Sequence, residues 1–335
     1  MIVIFSIRFD HSTNAVVEIL KNLGEKVVRI NGDDDIYKFD SLNDKGIYFI
    51  NTITQEIVNL LDAKACWWRR TGLRYNNFIS HPITGNSSKD EIDLFQFTNQ
   101  KSQYLKDEYL ALKDYIFKKV YDNCEINLGT STYNLNRLIV LDIATKYGLK
   151  TPNFEVITTE KQIQDSLISL GKVVTKAISN GIYDYIENNR FYTYTELLEE
   201  EFYTQSNYIL FPSLISSLVN KSLEIRSFYI DGHFYSMAIF SQSNEKTRID
   251  FRKYSNNRNE PYKLPFNIEE KLKKIFIELN LNCGSADLIL DENGEYVFLE
   301  INPVGQYGMT SEPCNYGLDI IIANYLRYGN VIENN

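Results

Sequence analysis

Short apolar runs separated by polar turns open the chain. Residues 2–7 (IVIFSI) are rich in β-branched side chains and end at the polar turn RFDHST, which predicts a strand. AVVEILKNLG (15–24) repeats its apolar positions at helical spacing and stops at Gly24, and KVVRIN (26–31) reads as a second strand. Strand, helix and strand joined by short links predict a parallel α/β unit. Further strands are expected at GIYFIN (46–51) and at KACWWRR (64–70), a buried segment that emerges into two arginines. A charged, amphipathic stretch over 88–121 predicts a helix. The first domain is placed at 1–125.

The second half changes rhythm. NLNRLIVLDIATKYGLKTPNF (134–154) has apolar residues at 138, 139, 141, 143 and 144, closes at Gly148, and meets the next strand through Pro152. KVVTKAIS (172–179) predicts a strand with Lys176 near its end. NGIYDYIENNRFYTYT alternates aromatics about ENN and predicts a hairpin, and ELLEEEF (196–202) an acidic helical turn. NYILFPSLI (207–215) reads as a strand interrupted by a proline. SLEIRSFYIDGHFYSMAIFS predicts a hairpin about Asp231-Gly232, followed by a helix at 267–280, a hairpin at 284–302 and a closing helix at 316–327. Two further domains are placed at 126–210 and 211–330.

Composition narrows the chemistry. The chain has 335 residues, 44% hydrophobic and 24% charged, which is ordinary for a globular protein of two or three domains. A net charge of −9 argues against a general nucleic-acid or anionic-membrane surface. No apolar run approaches a membrane span and the start does not resemble a signal peptide, so a cytoplasmic protein is expected. The 4 cysteines are scattered without ligand spacing and read as free thiols. The 3 histidines accompany no nucleophile motif, and neither GxxxxGK[ST] nor GxGxxG occurs.

The most informative segment is SADLILDENGEYVFLEINPVGQYG (285–308). Asn293-Gly294 signals a hairpin, and a two-residue loop there sets Asp287 opposite Glu300, with Asn302 on the same face. Two opposed carboxylates on an apolar ribbon repel each other unless a cation compensates. Two acids and an amide are hard oxygen donors, which favour Mg²⁺, and Mg²⁺ held by few carboxylates takes nucleotide phosphates as its other ligands. A solvated hairpin with incidental acids is the alternative. Cations for a polyphosphate come from separate elements: Lys176, Arg226 (with Glu224 on its strand face) and Arg252, with Arg248 nearby. Each of these could instead be a surface charge.

The order of these motifs resembles the ATP-grasp superfamily, and more closely the peptide-maturing ligases of the microviridin or graspetide type. FDHSTNAVVEILKNLGEKVVRINGDD is similar to the family's amino-terminal domain, and CWWRR to its aromatic-aromatic-Arg-Arg segment. NLNRLIVLDIATKYGLKTPNF resembles the helix that opens the nucleotide-binding region. EIRSFYIDGHFYSMAIFS is similar to the phosphate-binding hairpin, and RIDFRKYS to the D-[WF]-R element. ADLILDENGEYVFLEINPVGQYG resembles the metal hairpin and substrate loop, and NNRNEPYKLP points to the grasp-with-spasm maturases.

The resemblance implies an α/β and α+β protein with the ATP-grasp fold: an N-terminal pre-ATP-grasp α/β domain and two α+β subdomains enclosing the nucleotide. It implies ATP and two Mg²⁺ ions, with metal on Asp287, Glu300 and Asn302 and phosphates on Lys176, Arg137, Arg226 and Arg252. A lysine is usual where this chain has Arg137. Asp250 would position Arg252 or act as a base. Phe211, Pro212, Ser213, Leu214 and Ile215 would receive adenine through backbone groups, although the family often has a polar residue in place of Pro212. Gly305 and Gln306 fall in the substrate loop. Arg69 and Arg70 would touch substrate acids or make structural salt bridges. Glu199, Glu200 and Glu201 would meet a basic leader peptide or form a solvated face. With Arg248 these complete the substrate candidates.

The implied reaction is attack of a precursor-peptide Asp or Glu carboxylate on the γ-phosphate of ATP, then closure of an ω-ester or ω-amide ring by Thr, Ser or Lys. The implied partners are a ribosomally made precursor with leader and core, a companion maturase and a second copy of the chain. Nucleic acid and membrane are not among them. Two other functions compete: a carboxylate-amine ligase for small molecules or amino acids, and a nucleotide-gated peptide-binding protein without turnover.

Overall fold

The computed structural model describes residues 1–78, 100–131, 135–179, 183–186, 189–192, 194–199, 211–243, 249–250 and 257–331. Two compact units emerge, Met1–Tyr133 with Leu318–Asn335, and Asn134–Gly317.

The first unit begins as its sequence pattern requires. β1 (Ile2–Ser6), α1 (His11–Asn22) and β2 (Val27–Asn31) form a parallel strand-helix-strand unit, with Ile2 paired to Val27. Asp10 caps α1 by accepting from Thr13 N at 3.3 Å. The strands β3 (Tyr37–Asn43), β4 (Gly46–Asn51) and β5 (Ile57–Asn59) make a separate antiparallel sheet. β3 went unread in the sequence because its side chains are half-exposed and its ladder is broken between Phe39 and Ser41. β6 (Ala65–Trp68) returns to the parallel sheet and β7 (Ile126–Gly129) completes the order β2-β1-β6-β7. Every residue of β1 and β6 is buried, as expected for a parallel sheet covered on both faces. One face packs Val3, Phe5 and Trp68 against Ile116, Phe117 and Val120 of α2 (Gln100–Asn123). The part of that predicted helix over 88–99 lies outside the described residues. The last helix of the chain, Leu318–Tyr328, also belongs to this unit and contacts α1, β6 and β7.

The second unit holds two sheets. After α3 (Arg137–Lys146) come β8 (Phe154–Ile157), α4 (Glu160–Leu170) and β9 (Val173–Lys176). The hairpin β10 (Tyr183–Ile186) and β11 (Asn189–Tyr192) forms where the alternating aromatics placed it. Glu196–Leu197 is not helical: it is a short edge strand, β12, paired with Thr175 and Val174. Pairing with β9 satisfies the backbone of these two residues, and 200–202 of the expected helical turn lie outside the described residues. With β13 (Ser213–Ser217) these strands give the order β12-β9-β13-β8. The larger sheet has the order β16-β15-β14-β17-β18, from β14 (Lys221–Ile230), β15 (His233–Phe240), β16 (Arg258–Tyr262), β17 (Cys283–Asp291) and β18 (Tyr296–Asn302). β14 and β15 turn at Asp231-Gly232, where both residues take positive φ, the conformation a tight hairpin of this twist requires. α3 and α5 (Phe266–Glu278) cover one face, burying Val140, Leu141, Leu272 and Phe276 against Ile225, Leu288 and Phe298. A short helix, α6 (Gly308–Cys314), follows the last strand and carries Pro313. The other face of the large sheet looks toward the small one.

Candidate active site

The β17–β18 ribbon turns through three residues, not the expected two. Asp291 Oδ1 accepts from Asn293 N at 2.9 Å and Glu295 N at 2.8 Å, while Gly294 takes φ +81°. Next to the turn Leu290 faces Tyr296 and Leu288 faces Phe298. The ladder then slips by one residue, and beyond the slip Asp287 faces Glu300 and Ser285 faces Asn302. The expected pairing is present, reached by a longer loop plus a bulge. The bulge has a chemical consequence. In an unbroken strand Phe298 and Glu300 would share one face. The extra residue Leu299 lets Phe298 stay fully buried in the core while Glu300 turns to the opposite side.

Cations meet both acids. Arg226 is the register partner of Asp287 on β14, and its Nη1 donates to both carboxylate oxygens at 3.0 and 3.1 Å. Its Nη2 reaches Gly305 O at 3.4 Å. Lys176 Nζ and Arg137 Nη2 both donate to Glu300 Oε2, at 2.6 and 2.8 Å, and Arg137 Nη1 donates to Ser179 O at 3.2 Å. The Arg226 side chain is only 5% exposed. Among the described residues the Nε atoms of Arg137 and Arg226 are buried donors without an acceptor. Three cations thus stand against two carboxylates, a set with spare capacity for anions.

This donor set fits both components the ribbon implied. Asp287, Glu300 and Asn302 offer hard oxygens suited to Mg²⁺, and the three cations with their unsatisfied guanidinium donors suit phosphate oxygens. Among the described residues no group of three or more His, Cys, Asp or Glu side chains gathers into a metal cage. A metal here would therefore take part of its coordination from the ligand. Asn302 Oδ1 also accepts from Val304 N at 3.1 Å, fixing the chain that turns away at Pro303.

Between the two sheets of this unit lies a cleft lined by Val174 and Lys176 on one side and by Lys221, Glu224, Asp287 and Glu300 on the other. Asp250 also reaches it and accepts from Thr195 N at 3.0 Å. Lys221 and Glu224 were not among the residues singled out as ligand contacts. Lys221 begins a strand, where a lysine normally signals solvent, and only tertiary register reveals that it is buried.

Other candidates lie elsewhere. Ser213, Leu214 and Ile215 sit within β13, a central strand paired with both β8 and β9, so their backbone groups are committed to the sheet. Phe211 is 82% exposed and Pro212 is also exposed. The residues of this stretch that line the cleft are the following ones, Ser216, Ser217, Leu218 and Val219. Arg69 and Arg70 both make ion pairs with Asp10, at 3.1 and 3.0 Å. The parallel β1–β6 pairing brings these groups together across sixty residues of sequence. Arg69 also stacks over Trp67. Gly305 accepts from Ser285 Oγ at the start of the loop after β18, and Gln306 follows at φ +44°. Glu199 is exposed beside β12. Glu200, Glu201, Arg248 and Arg252 lie outside the described residues.

No protein-family model and no curated protein sequence matches the chain. Solved structures do. A Chryseobacterium gregarium RiPP-associated ATP-grasp ligase, in complex with ADP and a leader and core peptide, superposes with a TM-score of 0.78 at 22% identity, covering 99% of each chain. The macrocyclase MdnC of Microcystis aeruginosa MRC, bound with precursor peptide MdnA, gives 0.73 at 22% identity over 98% of this chain and 99% of that one. The ATP-grasp ligase PsnB, complexed with minimal precursor, Mg and ADP, gives 0.67 at 14% identity over 97% of each. From end to end, the chain has the fold of the ATP-grasp ligases.

Proposed function

We propose that this protein is an ADP-forming ligase that activates Asp or Glu side chains of a ribosomally made precursor peptide as acyl phosphates and closes ω-ester or ω-amide rings. The observation that carries the proposal is the Asp287–Glu300 pair, opposed on one ribbon and met by Lys176, Arg137 and Arg226 from three other elements. Structures that share the whole fold include two ligases solved with ADP and precursor peptide and a macrocyclase solved with its precursor peptide, which favours a peptide substrate over a small amino acid.

Asp287, Glu300 and Asn302 would hold Mg²⁺, which when bound supplies charge neutralisation to the transferring phosphoryl group. Lys176 and Arg137 would exchange Glu300 for phosphate oxygens. Arg226, anchored on β14 and buried, would keep one guanidinium edge on Asp287 and present the other to the phosphoryl group, whose charge it offsets. A peptide carboxylate attacks the γ-phosphorus, ADP leaves, and a peptide hydroxyl or amine then displaces phosphate from the acyl phosphate. The enzyme forms no covalent bond; it aligns two reactants and stabilises developing charge. The precursor, a companion maturase and a second copy of the chain are the partners the proposal names, in the cytoplasm.

The test is incubation with ATP, Mg²⁺ and candidate precursor peptides carrying Asp or Glu together with Thr, Ser or Lys, read by mass spectrometry. Loss of one water per linkage with stoichiometric ADP supports the proposal. ADP release with free amino acids but with no peptide would favour a small-molecule ligase instead. Nucleotide-dependent peptide binding with unchanged peptide mass would show a binding protein.

A further inference from the structure

The mechanism above leaves one buried ion pair in the cleft unused. Lys221 and Glu224 are each 7% exposed, yet both line the cleft. Residues three apart on a regular strand point to opposite faces. Here the β14–β17 ladder shifts register between Lys221 and Leu223, and that irregularity turns Lys221 onto the face of Glu224. Lys221 Nζ donates to Glu224 Oε1 at 2.5 Å and to Ile249 O at 3.1 Å, and Ser241 Oγ donates to the same Oε1 at 2.7 Å. The pair therefore ties β14 to the short segment that carries Asp250 through the Lys221 ammonium, and to the turn after β15 through the Glu224 carboxylate.

We infer that Lys221 is a positioning residue of the nucleotide cleft, holding Glu224 as an ionised acceptor toward the bound ligand and fixing the chain at Ile249–Asp250. The inference rests on the ligase proposal and deepens it. Both donors land on Oε1, and Glu224 itself lines the cleft. A nucleotide presents acceptors on its phosphates and donors on its neutral part, so an ionised carboxylate can serve only the latter.

The charge balance supports this role. Burial pushes the Glu224 carboxyl above the usual carboxylate range, and the Lys221 ammonium, with the Ser241 hydroxyl, pulls it back toward ionisation. Asp250 opposes Lys221 in this. Lys176 from β9, Asp287 from β17 and Glu300 from β18 line the same cleft, and Arg226 lies two residues on along β14. Removing Lys221 should raise the Glu224 carboxyl further, so that it protonates at a higher pH.

The experiment is calorimetric titration of the full chain with ADP and Mg²⁺, from mildly acidic to neutral pH, for wild type, Lys221→Met, Glu224→Gln and the double variant. Wild-type affinity should fall toward acid pH. In Lys221→Met that fall should begin at a higher pH, with affinity about tenfold weaker at neutrality, since an unpaired buried charge is left behind. Glu224→Gln should lose that part of the pH dependence, and adding Lys221→Met to it should cost almost nothing more, because the two act as one unit.

Additive losses, or an unchanged pH profile in Lys221→Met, would overturn the inference while leaving the ligase proposal intact. Should Lys221→Met not fold, the Glu224→Gln profile alone decides: a pH dependence identical to wild type overturns it. A wild-type protein that binds no ADP at any pH would remove the ligase proposal and this inference with it.

Discussion

Glu300 receives two cations on a single oxygen, so replacing it tests charge and shape separately. Glu300→Gln keeps the side-chain volume and an acceptor but removes the charge. Lys176 and Arg137 are partly solvated, with side chains 22% and 16% exposed, so the fold should survive at a cost of about 1–3 kcal/mol. Turnover should fall at least about a hundredfold, as expected when a group that organises transition-state charge is lost. Urea denaturation beside ADP release measures both; near-normal turnover would remove Glu300 from the metal role.

Asp10 makes the complementary case, a carboxylate whose task is structural. It is buried, caps α1 and pairs with Arg69 and Arg70. Burial raises its carboxyl, but the two guanidinium groups and the Thr13 amide outweigh that and hold it below its ordinary 3.8. A depressed folded-state value stabilises the protein above the unfolded value and ceases to do so as pH falls through the folded one. Asp10→Asn, which keeps the cap, should therefore lose about 3 kcal/mol at neutral pH. Its deficit against wild type should shrink as pH drops below 3.8. A deficit independent of pH would show that shape, not charge, matters at this position.

At the scale of elements, two glycines of the ribbon offer a matched comparison. Gly294 and Gly305 both sit at φ +81°, but a β-carbon at 294 meets nothing within 4 Å, whereas one at 305 would stand 2.9 Å from the Phe228 ring. Gly294→Ala should cost the backbone strain alone, about 1 kcal/mol. Gly305→Ala should cost more, because Phe228 is fully buried and cannot retreat, and it should also disturb Arg226, which contacts Gly305 O. Thermal melts and ADP affinity of the two variants decide it; equal effects would mean that the loop after β18 yields freely.

These same elements show what was legible in sequence. The Asp231-Gly232 turn was readable because tight hairpins admit few residue types. The Asp287–Glu300 pairing was legible although its loop length was misjudged, since turn and bulge errors offset each other in register. Lys221 and Glu224 were not legible, because a register shift inside β14 leaves no compositional trace. Arg69 and Arg70 were visible as a motif, but their partner Asp10 follows a different strand. Arg137, read as a phosphate partner where a lysine is usual, shares its acceptor with Lys176.

For the molecule as a whole, every residue lining the candidate cleft belongs to Asn134–Gly317. Ligand that binds only the folded state stabilises it by about 2.7 kcal/mol at a hundred times its Kd. That stabilisation should be full only when nucleotide and metal arrive together. Mg²⁺ alone would have to displace Arg226 from Asp287, and Lys176 with Arg137 from Glu300, leaving three largely buried cations without their carboxylates. ADP alone would satisfy those cations but strand the two carboxylates. Supplied as a pair, each component takes over the partners the other releases, and the number of satisfied charges is conserved. Melting curves should therefore move little with Mg²⁺, modestly with ADP in a chelator, and most with both. Hydrogen exchange should slow in β9, β14, β17 and β18. A full shift with Mg²⁺ alone would show that the carboxylates are not held by these cations in solution, and protection confined to Met1–Tyr133 would move the nucleotide site out of the cleft altogether.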